Sequence, residues 1–244
     1  MIRVEAVEKA FDRPVLRGVE LHVPPGCIYG LIGPGAAGKS LLLKILVGLV
    51  RPDAGRVTID GRDVLSLPDL ELQEFRKRIG MLFQNNALFD FMTVAENIAF
   101  PLRRLFDLPA EEIADRVADR LRVVSLPGFE DRMPAGLSGG QKKRIGFARA
   151  TVARAPIVLL DEPAAGLDPV TSQKIFDLIR AEQRASGATA IVVSSDLDRL
   201  LTITDRVGMM HRGQILFEGT TEEARASEEP HVRQFVHGLP DGPL

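Results

Sequence analysis

The stretch that decides the fold of this chain is Leu137-Ser138-Gly139-Gly140-Gln141. A second glycine-rich segment lies upstream and reads Gly33-Pro34-Gly35-Ala36-Ala37-Gly38-Lys39-Ser40. Downstream, an apolar run from Ile157 to Leu160 ends in the acidic pair Asp161-Glu162. One short motif matches many unrelated chains, but three motifs in this order favour a single kind of fold over coincidence.

The upstream segment has the pattern of a phosphate-binding loop. Glycines at positions 33, 35 and 38 allow backbone N–H groups to surround phosphate oxygens, and a following helix directs its positive end at the same anions. Lys39 would supply a point charge to the β- and γ-phosphates, and the Ser40 hydroxyl would ligate Mg²⁺. The run from Ile28 to Ile32 predicts the strand, and the leucine spacing after Lys39 predicts the helix, that this loop requires.

The acidic pair supplies the complementary chemistry. Asp161, at a predicted strand end, would hold the metal from the other side, and Glu162 is the candidate base that orients or deprotonates the attacking water. The alternative is an acidic strand end that faces solvent.

Composition limits the function classes. The chain has 244 residues, is 45% hydrophobic, and carries a formal net charge of −2. One sizeable core is expected, and no basic field suggests nucleic acid as a partner. The single cysteine, Cys27, is compatible with a reducing compartment and is expected to be a packing residue. We expect neither a membrane span nor a secretory signal, so any membrane role would come through a partner.

The spacing of apolar residues along the chain predicts its sheets and helices. Alternation at 20–23 and 56–59, with a turn at Asp60-Gly61, predicts a small antiparallel sheet. A helical pattern runs from 93 to 153 and includes a core stripe of Ile113, Val117, Leu121 and Val124. Apolar strands return at 157–160, 190–193 and 207–210. We therefore predict an α/β fold with a mainly parallel sheet, an N-terminal antiparallel β-subdomain and an inserted helical subdomain at about 90–154.

Together the three motifs resemble those of the ATP-binding cassette (ABC) family, and the chain is identified as a member with a P-loop ABC ATPase core. The resemblance implies ATP and Mg²⁺ as ligands, with an ABC nucleotide-binding domain at 1–220 and a C-terminal extension at 221–244. It also implies a head-to-tail homodimer, in which the signature segment 137–141 of one subunit closes over the ATP of the other. Asp168 matches the D-loop that crosses this interface.

The same resemblance gives roles to two further residues. Gln84 matches the Q-loop glutamine that contacts the metal and senses the γ-phosphate; a surface glutamine is the alternative. Phe11 lies where the family places an adenine-stacking ring; a core residue is the alternative. The implied ATP-binding residues are therefore Phe11 and the segment 33–40, and the next residue, Leu41, is assigned no role.

Three cations follow the signature segment, namely Lys142, Lys143 and Arg144. We expect a solvated helix face there rather than a nucleic-acid patch.

One position departs from the family pattern. Ser195 stands where the family usually has a histidine that contacts the γ-phosphate. Serine is shorter and carries no positive charge, so hydrolysis is expected to be slower or to depend on Glu162 alone.

Two segments resemble the ATPase subunit of Mla-type phospholipid transporters: 81–102, and the tail around 230–243. That resemblance implies a peripheral subunit on the cytoplasmic face of a bacterial inner membrane. Its implied partners are two permease subunits, a periplasmic lipid-binding component and a STAS-domain protein. The tail is expected to brace the dimer, with disorder as the alternative. The rivals are an ABC ATPase for another substrate such as an amino acid, a soluble ABC protein of DNA repair or translation, and a nucleotide-binding switch with weak hydrolysis.

Overall fold

The computed structural model describes residues 1–244. The strands are β1 (Ile2–Ala10), β2 (Pro14–Val23), β3 (Ile28–Ile32), β4 (Ala54–Ile59), β5 (Arg62–Asp63), β6 (Ile79–Leu82), β7 (Ile157–Asp161), β8 (Thr189–Val193), β9 (Arg206–His211) and β10 (Gln214–Thr220). The α-helices are α1 (Lys39–Leu46), α2 (Asp69–Arg76), α3 (Val94–Leu105), α4 (Ala110–Val123), α5 (Gly139–Thr151), α6 (Pro169–Ser186), α7 (Leu197–Ile203), α8 (Thr221–Arg225) and α9 (Pro230–His237).

The central sheet has six strands in the order β10-β9-β3-β8-β7-β6. All its pairings are parallel except that of β10 with β9. Every residue of β3, β7 and β8 is buried, because the sheet lies between two hydrophobic clusters. Strands covered on both faces have continuous apolar runs, which is why the sequence predicts them well.

The predicted antiparallel subdomain is present as a second sheet with the order β2-β1-β4-β5. Asp60 and Gly61 join β4 to β5 with positive φ angles of 48° and 80°, as the predicted turn requires. Ile2, Val4 and Val7 of β1 are buried in the cluster that also covers α1, so this sheet closes over the helix that follows the glycine loop.

The predicted helical subdomain consists of α3, α4 and α5. The stripe of Ile113, Val117, Leu121 and Val124 is buried in the larger hydrophobic cluster, so the core interpretation is confirmed. Arg120, only 7% exposed, pairs with Glu182 of α6 at 2.5 Å and links the subdomain to the central layers. None of the helices has the length and apolar character needed to cross a membrane.

The C-terminal segment contains the helices α8 and α9. The sequence predicts a loop at Glu228, Glu229 and Pro230; Glu228 and Glu229 do lie between the two helices, but Pro230 is the first residue of α9, where its missing N–H costs nothing, and Glu229 caps the helix. Val232 is fully buried in the larger cluster of its own chain. The helices α8 and α9 of the segment 221–244 therefore pack on the domain of their own chain. The prediction that this segment braces the dimer stays a prediction.

Candidate active site

A cleft of 630 Å³ opens at the carboxyl ends of β3 and β7. Such an edge is where parallel α/β sheets bind ligands. The cleft is lined by much of the glycine loop, by Gln84 and Glu162, and by the basic residues Arg13, Arg17 and Arg212. The sequence does not single out the three arginines, because they come from segments with no common motif. The cleft thus has the charge and the position to receive an anionic ligand.

The loop after β3 has the geometry of a phosphate cradle. Gly33 has φ of 136°, and a Cβ there would lie 1.9 Å from the carbonyl oxygen of Met210, so only glycine fits. Gly38 precedes α1 with φ of 108°. Lys39 Nζ donates to the carbonyl oxygens of Gly33 and Pro34 at 2.7 and 2.8 Å. Burial lowers the pKa of Lys39, and the charges of Glu162 and Asp161 oppose that shift, so the ammonium lies at the cleft in the field of both carboxylates.

Leu41 follows the loop on the first turn of α1 and also lines the cleft. Its side chain is half-buried and packs against the smaller hydrophobic cluster, the one that lies beneath the antiparallel sheet. An isobutyl group has no polar atom to offer a phosphate, so its place at the wall is explained by packing. That Leu41 does not bind the nucleotide stays a prediction.

Two of the three predicted metal ligands, Ser40 and Asp161, are in contact, whereas the role of Gln84 at the metal stays a prediction. The Ser40 hydroxyl donates to Asp161 Oδ1 at 2.9 Å, although the two residues are far apart in sequence. Asp161 is only 3% exposed, and burial raises the pKa of its carboxyl against the hydrogen bond from Ser40 and the charges of nearby lysines. Magnesium favours a few oxygen ligands from protein together with water and phosphate oxygens. A buried carboxylate beside a hydroxyl at the mouth of a phosphate loop fits that requirement.

Glu162 is held beside the metal ligands in an unusual backbone conformation. Its φ is 50°, and its N–H donates to the Val193 carbonyl oxygen at 2.9 Å, so its side chain leaves the strand in a different direction from that of Asp161. Its Oε2 atom accepts hydrogen bonds from Ser195 N at 3.1 Å and from Ser195 Oγ at 3.0 Å. The sequence places Ser195 at the γ-phosphate position but does not predict this pairing, because it depends on the two strand ends being adjacent.

Gln84 lies just beyond β6 and lines the cleft. Its main-chain carbonyl oxygen accepts a hydrogen bond from the ammonium of Lys143.

The solvated helix face predicted for 142–144 is therefore wrong for Lys143. Lys143 is 6% exposed, whereas Lys142 and Arg144 are intermediate. The sequence carries no signal for this burial, because the residues three and four positions after Lys142 and after Arg144 are also buried in α5.

The signature segment begins α5. Ser138 caps the helix, and Gln141 completes a capping box. Gly139 is exposed and Gly140 is partly buried, and no residue of 137–141 lines the cleft. Asp168 caps α6 through hydrogen bonds from the N–H groups of Val170 and Thr171, both 3.0 Å. Two capped helix starts therefore lie outside the chain's own phosphate cleft.

Phe11 lies between β1 and β2, is 63% exposed, and is not among the residues that line the cleft. The Lys9 ammonium is 5.4 Å from its ring centroid. The core alternative is wrong, since a core ring would be buried. Adenine stacking stays a prediction.

A second groove, of 310 Å³, lies between β6 and the helical subdomain. It is mainly apolar, with Met81, Phe83, Phe89 and Phe100 on its walls and Arg76 and Lys77 at its margin. It begins directly at the segment that leads to Gln84.

Comparison with known proteins gives the family. Residues 16–165 match the family described as ABC transporter. The chain is 39% identical, over its whole length and 70% of the relative, to the probable ribonucleotide transport ATP-binding protein mkl of Mycobacterium leprae. It is 40% identical to the methionine import ATP-binding protein MetN of Caulobacter vibrioides, over 91% of this chain and 68% of that one. It is 38% identical to the intermembrane phospholipid transport system ATP-binding protein MlaF of Haemophilus influenzae, over 97% and 89% of the two chains.

A solved structure agrees with these relatives. The dimeric structure of an ATP-binding cassette in a post-hydrolysis state, bound to ADP and Pi, superposes with a TM-score of 0.85 and 30% identity, over 91% of this chain and 99% of that one. The glycine loop, the predicted metal ligands and the predicted signature helix are thus found in a chain whose sequence and fold both match one family. This chain belongs to the ABC transporter family and has the fold of its ATP-binding subunit.

Proposed function

We propose that this chain binds Mg-ATP in the cleft, hydrolyses it as one half of a homodimer, and so drives a membrane permease that moves phospholipids. The observation that carries the ATPase part is that Lys39, Ser40 and Glu162 line one 630 Å³ cleft, with Asp161 hydrogen-bonded to Ser40 behind its wall. Ser40 and Asp161 would hold the magnesium ion, which supplies positive charge to the phosphate oxygens.

Different residues of the chain have different roles in the proposed hydrolysis. The backbone N–H groups of 33–40 and the Lys39 ammonium bind the β- and γ-phosphates and offset the charge that develops there. Glu162 orients a water molecule and accepts its proton as the oxygen bonds to the γ-phosphorus. The bond from that phosphorus to the bridging oxygen breaks, and ADP leaves with phosphate as the second product. The two hydrogen bonds from Ser195 fix the direction of the carboxylate during this step.

Dimerisation follows from the position of the signature segment. Ser138, Gly139 and Gly140 form a second anion-binding helix start, yet this start lies outside the chain's own cleft. A second copy in head-to-tail arrangement would bring each signature segment over the other copy's ATP. The relative with 30% identity is itself dimeric, which supports a dimer. The D-loop residue Asp168 caps the neighbouring helix and would lie at the same interface.

The apolar groove beside Gln84 is the proposed permease contact. A short helix of a membrane partner would bury apolar side chains against Phe83, Phe89 and Phe100. Because one wall of the groove leads directly to Gln84, closure of the ATP site would move the bound helix. This role would make the chain a peripheral subunit at the cytoplasmic face of a bacterial inner membrane. A periplasmic lipid-binding component and a STAS-domain protein are further proposed partners.

Phospholipid is the proposed cargo because two intermembrane phospholipid transport ATPases, from Haemophilus influenzae and Escherichia coli, are 38% and 36% identical over nearly all of this chain. The segments at 81–102 and 230–243 resemble the same subunit. Import of a polar solute is the second candidate, since the methionine and ribonucleotide transport relatives reach 40% and 39% identity.

The first experiment tests hydrolysis. Steady-state phosphate release is measured for the full chain in its transporter complex, beside Glu162→Gln. We expect a loss of turnover on the order of 10³-fold with ATP binding retained. Turnover by Glu162→Gln at the original rate would refute the base assignment. An inert unmodified chain that regains activity on Ser195→His would instead support a nucleotide-binding switch.

The second experiment tests the cargo. The complex is purified in detergent, its co-purifying lipid is identified by mass spectrometry, and its ATPase rate is measured with added phospholipid, methionine or a ribonucleotide. Stimulation by phospholipid alone supports the proposal. Stimulation by either polar solute, with no effect of lipid, would overturn it while leaving the ATPase assignment intact.

A further inference from the structure

Lys143 is a buried cation in the helix that carries the signature segment. It lies on α5, five positions after Ser138, and is 6% exposed. Its Nζ atom donates to the main-chain carbonyl oxygen of Gln84 at 2.6 Å and to that of Glu162 at 2.9 Å. One side chain thus joins three segments that are distant in sequence.

This placement is costly for a lysine. The ammonium makes no salt bridge, so its charge is satisfied by carbonyl oxygens alone. Burial lowers the pKa of Lys143, and the nearby charges of Glu162 and Asp161 oppose that shift. A methionine would fill similar space at a lower desolvation cost. Packing alone therefore does not account for a lysine here.

The two acceptors belong to the proposed reaction centre. Glu162 carries the base and has φ of 50°, a conformation that non-glycine residues seldom adopt without support. The bond from Lys143 restrains the carbonyl of this strained residue, and the N–H bond to Val193 restrains its other side. The bond to Gln84 fixes a residue just after β6 at the wall of the cleft.

The third segment is the signature helix itself. Helices are stiff over short lengths, and five residues span roughly 7.5 Å. Any shift of Ser138 toward the ATP of a second copy would therefore carry Lys143 with it. Through its two carbonyl contacts, that shift would reach the base and the glutamine of the chain's own site.

We propose that Lys143 is a positioning residue, which sets the backbone of Glu162 and Gln84 according to the position of the signature helix. This inference rests on the proposed function, because it assumes that Glu162 is the base. It assigns a role to a residue outside the phosphate loop, the signature segment and the acidic pair.

The test compares Lys143→Met, Lys143→Gln and the neighbouring control Lys142→Met in the full transporter complex. ATP turnover is measured beside the dissociation constant of a fluorescent ATP analogue. For Lys143→Met we expect kcat to fall on the order of 10- to 100-fold, since small misplacement of a catalytic group has effects of this size, with nucleotide affinity and KM unchanged within about twofold. Lys143→Gln, whose amide still donates, should recover part of the rate, and Lys142→Met should match the unmodified chain.

A double variant separates positioning from packing. If Lys143 acts through Glu162, then Lys143→Met adds no further loss to Glu162→Gln, because both remove the same step. Equal turnover of Lys143→Met and the unmodified chain would overturn the inference. A fall in kcat for Lys143→Met that is matched by weaker nucleotide binding and a smaller folded fraction would also overturn it. The same holds if Lys143→Gln recovers none of the lost turnover. Full turnover by Glu162→Gln would instead remove the proposed base, whatever Lys143 does.

Discussion

Replacement of Ser195 by alanine tests how this chain works without the usual histidine. The Ser195 hydroxyl donates to Glu162 Oε2 at 3.0 Å, and the backbone N–H of the same residue donates to the same oxygen at 3.1 Å. Ser195→Ala removes only the first of these bonds. Hydrogen bonds to charged groups contribute about 1.5–3 kcal/mol, but Ser195 is exposed and water will replace part of the loss. A net effect of about 1 kcal/mol on the transition state corresponds to a rate about fivefold lower.

The assay is steady-state phosphate release by the transporter complex over a range of ATP concentrations. Because Ser195 contacts the carboxylate, we expect the change in kcat with KM almost unaltered. Ser66→Ala is the matched control, since the Ser66 hydroxyl bonds to the Asp63 carbonyl beside the antiparallel sheet. An unchanged kcat in Ser195→Ala would refute the idea that its hydroxyl positions the base. A fall in nucleotide affinity instead would place the hydroxyl on the phosphate.

Two further predictions concern stability. Gly80→Ala should lower the free energy of unfolding by about 3 kcal/mol and the Tm by about 6–12 °C in circular dichroism, because the new Cβ would lie 1.9 Å from the Ala150 carbonyl oxygen. Gly136→Ala, with nothing within 4 Å, is the control and should shift the Tm far less. Asp161→Asn should raise the Tm of the nucleotide-free chain at pH 7, because burial raises the pKa of Asp161 and its ionised form favours the unfolded state. The difference should shrink as the pH falls and the Asp161 carboxyl takes up its proton; an equal difference at all pH values would refute this cause.

Local patterns specify most of the fold. The predicted strand 28–32 coincides with β3, and the turn at Asp60-Gly61 lies where the sequence predicts it. Such elements can be predicted from the sequence because strands buried on both faces and two-residue turns have short, distinctive sequence patterns. The edge strand β10 is not predicted, since its residues are mostly only partly buried and show no clear alternation. The helix α9 escapes prediction because the residues around Pro230 are typical of a loop, although this proline begins a helix.

The candidate site is predictable where motif residues are contiguous. Residues 35–40 of the loop and Glu162 line one cleft, and Ser40 contacts Asp161, an arrangement that fits a magnesium site. What the sequence cannot supply are contacts across elements. The pairing of Ser195 with Glu162 needs β7 and β8 side by side, and the arginines of the cleft do not share a motif.

Lys143 shows how the structure changes the interpretation of a charged residue. In sequence it belongs to a run of three cations, which usually indicates a solvated surface. On α5 the three side chains point in different directions, and only that of Lys143 is buried. Its ammonium therefore ends at two carbonyl oxygens instead of water. The two carbonyl contacts of Lys143, and not the charge run that contains it, are therefore the observation that supports coupling between the signature helix and the site of Glu162.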